Sequence, residues 1–301
     1  MVLNNVLNQQ INNEEVLEAK HIFAIDYLKL KVEITNNPLE LSQNMVIPLT
    51  KFDGEFQPLQ ESYSKQWVCG SYNDHIQIKA INKNEILIHG NLFKWLNGQN
   101  VTGTTDLIQL VLDTVTRLSQ IFNAITPTDT EIENIKLGLF RIYRIDVNKA
   151  LLFDDKQKAQ QYLSSIKEHG TYPRRDREVE KNGIYFGKGS KRTTLLYYFK
   201  GQEIRSHNKQ QTTLTTELRE YADRMIRCEV RLFNQQLRDQ ELNYGYCWNE
   251  ELVKHLVEDS HSKLNLPEPV SEIELPAKYI RFLATQKQGA LHIGYTASTT
   301  A

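Results

Sequence analysis

The chain has 301 residues, 40% hydrophobic and 24% charged, with a formal net charge of −1. That is the make-up of an ordinary soluble protein of one large domain or two small ones, and it excludes wholesale coating of nucleic acid. No apolar run approaches the ~20 residues of a membrane span, and the three cysteines form no CxxC pair, which argues against a disulfide framework or a zinc ribbon and for a reducing compartment.

Residues 1–20, rich in Asn and Gln, read as a flexible N-terminus without the basic start and apolar middle of a signal peptide. A cytoplasmic location and no membrane partner are therefore expected. From His21 the text is β-like. In DYLKLKVEI, Leu28, Leu30, Val32 and Ile34 alternate with Lys29, Lys31 and Glu33, the period of a strand with one wet face. HIQIKA (75–80) and EILIHG (85–90) repeat that pattern around a short connection and predict a hairpin.

The period then changes. After GTTD, Leu107, Val111, Val115, Leu118 and Phe122 recur every three or four residues, which predicts an amphipathic helix with a Thr cap. LGLFRIYRIDV (137–147) returns to β text, and a second helix fits 155–169. Two short strands, GIYFG and TTLLYYFK, follow, joined by KGSKR. A third helix, about 214–225, leads into the strand IRCEVRL. After Trp248 the pattern is helical. The sum is an α+β domain with a mainly antiparallel central sheet and helices packed on one side. Residues 21–248 are expected to form it, with a C-terminal helical extension over 249–301.

Chemistry-bearing residues gather on three strands. Ten basic residues against four acidic ones lie between Arg174 and Lys209, a block able to hold a polyanion by releasing its counterions. Within it, alternation puts Leu195, Tyr197 and Phe199 on one face and Tyr198 with Lys200 on the other. Tyr197 reads as core and Tyr198 as the better nucleophile; a one-residue bulge reverses the two. In IRCEVRL, Arg227, Glu229 and Arg231 form a charged face. In FRIYRIDV, Arg144 and Asp146 leave an otherwise apolar strand. Asp146 and Glu229 are either salt-bridged to neighbouring arginines or ligands of a cation; as oxygen donors they suit Mg²⁺ or Mn²⁺. Such a cation, with Lys200 nearby, would help a phenol of pKa ~10 attack a phosphodiester. GKGSKR precedes no helix and so fails as a P-loop; its Lys188, Lys191 and Arg192 are candidates for DNA phosphate contacts, with Arg144, Arg227 and Arg231 on the strands.

LNGQNVTGTTDL (96–107), RIDV (144–147), GIYFGKGSKRTTLLYYFKGQEI (183–204) and IRCEVRL (226–232) together resemble, in order, blocks of the replication initiators of filamentous phages and related plasmids, the gene II/X family of rolling-circle endonucleases. The resemblance implies Tyr198 and Lys200 as the Tyr-x-Lys pair, with Tyr197 open to a two-tyrosine scheme, and Asp146 and Glu229 as the Arg-x-Asp and Arg-x-Glu acids. It further implies an enzyme that nicks a double-stranded origin through a 5′-phosphotyrosyl intermediate, with Mg²⁺ or Mn²⁺. The enzyme leaves a 3′-OH primer and recircularises the displaced single strand. A host helicase and polymerase would be partners, in the cytoplasm of a bacterial host cell. The His-hydrophobic-His metal motif of the wider rolling-circle class is absent. A non-catalytic origin- or single-strand-binding protein and a plasmid-transfer relaxase are the competing readings.

Overall fold

A computed structural model describes residues 23–266 apart from 43, 54, 59–61, 71–73 and 208–213. The expected flexible N-terminus and the helical pattern beyond Pro267 lie outside the described residues. Residues 1–265 form one compact unit, separate from 266–301.

The chain enters on β1 (Phe23–Glu33) and a single turn, α1 (Pro38–Leu41). Two small hairpin-like sheets follow: β2 (Met45–Val46) pairs with β5 (Ser62–Tyr63), and β3 (Leu49–Phe52) with β4 (Glu55–Pro58). Then come β6 (Gln66–Cys69), β7 (His75–Asn82), β8 (Glu85–Gly90), α2 (Leu92–Asn97), α3 (Leu107–Ile121) and α4 (Asp129–Lys136). The long β9 (Arg141–Leu152) leads to α5 (Lys156–His169), β10 (Arg177–Val179), β11 (Gly183–Phe186) and β12 (Thr193–Phe199). After α6 (Lys200–His207) and α7 (Thr216–Ala222), β13 (Met225–Phe233) completes the sheet, followed by α8 (Asn234–Asp239) and α9 (Glu250–Ser262). Nine strands form one antiparallel sheet in the order β10-β11-β12-β13-β9-β1-β8-β7-β6. The expected α+β class and antiparallel sheet are what the chain forms.

One face of the sheet is apolar because the strands alternate. Leu195, Tyr197 and Phe199 lie opposite Val230, Cys228 and Ile226 across β12 and β13. Leu28, Leu30 and Val32 of β1 continue that face beside Ile145 and Ile142 of β9 and Ile88 and Ile86 of β8. All are buried. Helix α5 lays Ala159, Leu163 and Ile166 on it, and α9 adds Val253 and Val257. Each such side chain removed from water contributes about 1.5–3 kcal/mol. The main helical layer is thus on one side, as expected. A smaller cluster closes one end of the other face, where Val101, Ile204, Leu214, Tyr221 and Ala222 pack with Ala150 of β9 and Met225 of β13.

Several local expectations change. Helix α3 is capped by Asp106, whose side chain accepts from Gln109 N, not by a threonine. Helix α5 starts after Asp155, which caps it by accepting from Lys158 N. Strand β9 starts later and runs further than the β text suggested, because Gly138, with φ of 72°, turns the chain against Tyr246. Helix α4, unread in the sequence, carries a capping box between Thr128 and Glu131. Lys200 does not extend β12; it opens α6.

Two bulges between β1 and β9 decide where charged residues point. Lys29 opposes Arg144 but Leu30 opposes Ile142, so Tyr143 is an extra residue on β9. This shift sends Ile142, Ile145 and Val147 to the apolar face and Arg144, Asp146 and Asn148 to the other. It removes the conflict of charges on an apolar strand. Ile25 opposes Val147 and Tyr27 opposes Asp146, so Asp26 is the extra residue on β1.

Candidate active site

The polar faces of β12, β13, β9 and β1 build a cleft of about 340 Å³. Tyr198, Glu229, Asp146, Asp26, Arg144 and Arg231 line it, with Glu180, Asn182 and Gly183 at the β10–β11 side and Glu203 of α6 at the other.

The cleft brings together the acids that the sequence singled out. Arg144 grips Asp146 with two parallel bonds, Nε to Oδ1 at 2.8 Å and Nη2 to Oδ2 at 2.6 Å. Arg231 Nε donates to Glu229 Oε1 at 2.7 Å and lies 3.6 Å from Asp146 Oδ2. Tyr198 Oη lies 3.5 Å from Glu229 Oε2, a long hydrogen bond. Tyr198 itself is only 8% exposed. Burial, with the charges of Glu229 and Asp26, pushes its hydroxyl well above the ordinary phenol value, against the pull of Arg227. Glu229 is pushed up to about 7 by burial and by the charges of Asp26 and Asp146, against the pull of Arg231. Burial also raises Asp146, although Arg144 and Arg231 oppose it. A neutral phenol therefore faces a carboxyl that titrates near neutrality, the relation of a nucleophile to a general base.

Asp26 is a third acid that sequence reasoning missed. Asn91 and Asn100 donate to its Oδ1 at 2.6 and 3.0 Å, and Arg227 lies 3.9 Å away. Burial works against the charged form, but Arg227, Lys200 and these two amides hold its carboxyl below the usual range. The one signal in the sequence was the pair Asp26-Tyr27 ahead of the alternating run, two polar residues in succession where a bulge would sit.

The other candidates are placed differently. Tyr197 is fully buried on the opposite face, its hydroxyl 2.8 Å from His261 Nδ1 and its ring edge-on to Phe186. Strand alternation separates it from the cleft, which corrects the expectation that both tyrosines could serve one site. Lys200 is buried at the start of α6, bonded to Asn100 Oδ1 and Glu203 at 2.8 Å each and 6.0 Å from the centre of the Tyr198 ring. Arg227, expected to touch DNA, is 2% exposed and donates to the carbonyls of Asn100 and Val101 at 2.8 and 2.9 Å. Its guanidinium pins the 98–106 loop under the cleft and is no phosphate contact. Lys188 is paired with Glu178 and Glu180, and Arg192 with Asp239. Lys191 is exposed on the same turn.

Among the described residues no three His, Cys, Asp or Glu side chains are gathered as a metal-holding group. The donor chemistry nonetheless suits a hard cation. Mg²⁺ is commonly held by one or two carboxylates and completed by phosphate and water oxygens. Asp146 and Glu229 supply that number, and mutual repulsion among the three acids is what a cation would relieve.

Residues 24–251 match the family described as the N-terminal part of the phage replication-associated protein of gene II. The chain is similar to the replication-associated protein of that name from Enterobacteria phage I2-2, 26% identical over 203 residues that cover 64% of this chain and 58% of that protein. It thus spans less than two thirds of the length of the curated relative it matches. A solved rolling circle replication initiator protein from Geobacillus stearothermophilus covers 88% of this chain and 84% of its own at 13% identity, with a TM-score of 0.30, a likeness too slight to carry an argument. The family match runs through every strand that builds the cleft, and on it the chain belongs to the family of gene II replication-associated proteins of phages.

Proposed function

We propose that the chain is a rolling-circle DNA replication initiator that nicks and rejoins one strand of a double-stranded origin. The observation that carries this reading is a tyrosine hydroxyl 3.5 Å from a buried glutamate of raised pKa, in a cleft with two further acids and two arginines. Tyr198 Oη attacks phosphorus and its proton passes to Glu229. The P–O3′ bond breaks, and the leaving oxygen takes up a proton to become the 3′-OH primer. The 5′-phosphotyrosyl ester keeps the energy of the broken bond, so a later attack by a 3′-OH reseals the displaced strand. Arg144 and Arg231 are placed to neutralise phosphate oxygens, and both are already held in position by the acids they grip. Lys200 and Arg227 act from beneath, holding Asn100 and the loop that carries it. Mg²⁺ or Mn²⁺, held by Asp146 and Glu229, would supply polarisation of the scissile phosphate. Origin DNA and the displaced strand are the substrates, with a host helicase and polymerase acting on the product.

The test is a covalent adduct assay with supercoiled DNA of the cognate replicon and Mg²⁺. The wild-type chain yields a protein–DNA adduct that maps to Tyr198; Tyr198→Phe and EDTA each abolish it. Tyr197→Phe leaves it intact. An undiminished adduct in Tyr198→Phe ends this reading. A second reading draws on the low exposure of Tyr198 and on the arginines already occupying both acids: a non-catalytic DNA-binding protein that keeps the fold. It requires binding that is indifferent to EDTA, with no cleavage.

A further inference from the structure

The polar face of the sheet continues past the tyrosine cleft. Cross-strand pairing runs from Arg144 to Lys29, from Lys29 to His89, from His89 to Gln77 and from Gln77 to Trp67. Directly opposed residues share a face, so this row extends the face of Tyr27 and Asp146 across β1, β8 and β7 to the edge strand β6. A second cleft of about 280 Å³ lies over it. Tyr27 and Asn91 line both clefts, which therefore adjoin.

The chemistry of this second cleft is specific. Trp67 is 64% exposed, whereas Trp95 and Trp248 are buried and donate their indole N–H to carbonyls. His89 is fixed by Tyr27, with Oη 3.0 Å from Nδ1. Its Nε2 is buried and has no hydrogen-bond partner, an unused polar atom in the wall of the cleft. Lys29, Lys65 and Arg144 surround the ring with positive charge; burial and these cations hold it below the ordinary histidine value. The acid of this cleft, Asp74, is neutralised by Lys94 at 2.9 Å. Flat rings, a neutral imidazole and unneutralised positive charge form the combination that takes single strands, in which unpaired bases stack and phosphates are tracked. A duplex has no free base face to offer Trp67.

We infer that the face from Tyr27 to Trp67 is a track for single-stranded DNA, holding the nucleotides that flank the phosphate at Tyr198, with Trp67 as the stacking platform at its far end. This rests on the nicking reading and adds the substrate's path. From β9 to β6 are four strand spacings of about 4.8 Å, roughly 19 Å. At about 3.4 Å per stacked nucleotide the track holds five or six.

The experiment uses the full chain and fluorescein-labelled (dT)12, read by anisotropy and by intrinsic tryptophan emission. Binding should quench tryptophan emission in the wild type. Trp67→Ala should weaken binding by about five- to a hundredfold and remove the quench, and Trp67→Phe should restore most of the affinity. Equal affinity in Trp67→Ala and wild type, or no quench in a saturated wild-type complex, overturns the track. The same proteins enter the adduct assay. A chain that shows the Trp67 effect but forms no adduct keeps the track and loses the enzyme. A chain that forms the adduct while Trp67→Ala binds normally keeps the enzyme and loses the track.

Discussion

Glu229 sits at the junction of two pH dependences with opposite consequences. As proton acceptor for Tyr198 it works only when ionised, and burial together with Asp26 and Asp146 places its pKa at about 7. The rate of adduct formation should therefore fall as pH drops through about 7, and Glu229→Gln should abolish both the adduct and the profile. Stability moves the other way. An unfolded glutamate titrates near ~4.3, so between that pH and about 7 the folded chain holds a proton that the unfolded chain has released. The contribution is fully present below the unfolded value and is lost as pH rises through the folded one. Melting temperatures at pH 5 and pH 8 measure it: the drop between them should be smaller in Glu229→Gln than in the wild type. A profile centred near pH 4 would show that Glu229 is an ordinary exposed-type acid and not the base.

At the scale of elements, Gly183 shows how strand pairing holds the nucleophile. It lies directly opposite Tyr198 on β11, and a Cβ there would meet Tyr197 O at 2.5 Å and Tyr198 Cβ at 3.0 Å. Since one neighbour is backbone, Gly183→Ala must push β11 away from β12 at the position of Tyr198. Misplacement by a fraction of an ångström costs reactions of this kind heavily, so adduct formation should drop at least tenfold while the far-UV circular dichroism of the sheet is retained. A wild-type adduct yield would show that the pairing there is slack. The same level explains what the sequence could tell. Alternation alone put Tyr198 and Glu229 on one face and Tyr197 on the other, because one register fixes every side chain of a strand. It could not place Arg144 and Asp146, whose direction depends on an extra residue, Tyr143, recognisable only against its partner strand β1. Nor could it find Asn91 and Asn100, which reach Asp26 across 65 and 74 residues of sequence, or see that Lys200 leaves the strand for a helix. Lysine, glycine and glutamine there favour neither period.

For the molecule as a whole, the question is how a chain of net charge −1 holds a polyanion. The basic block from Arg174 to Lys209 suggested a strong local field, but much of it is spent internally. Lys188 is tied to Glu178 and Glu180, Arg192 to Asp239, Lys200 to Glu203 and Arg205 to Asp223. Arg227, outside the block, is buried against carbonyls. Exposed pairs of this kind contribute little to stability, yet they lower the charge presented to DNA. Attraction therefore falls to Lys29 on the open sheet face, Lys191 on the β11–β12 turn, and the half-buried Arg144 and Arg231. Each phosphate contact on duplex DNA adds about 0.9 to the slope of log K against log salt. Four such groups predict a slope of magnitude about 3 to 4. Lys191→Ala should reduce it by roughly one unit, and Lys188→Ala should change it much less. Titrations of origin duplex between low and moderate salt measure it directly. A slope near ten would mean that the internal ion pairs open on binding and that the whole basic block, not the cleft and its row, holds the DNA.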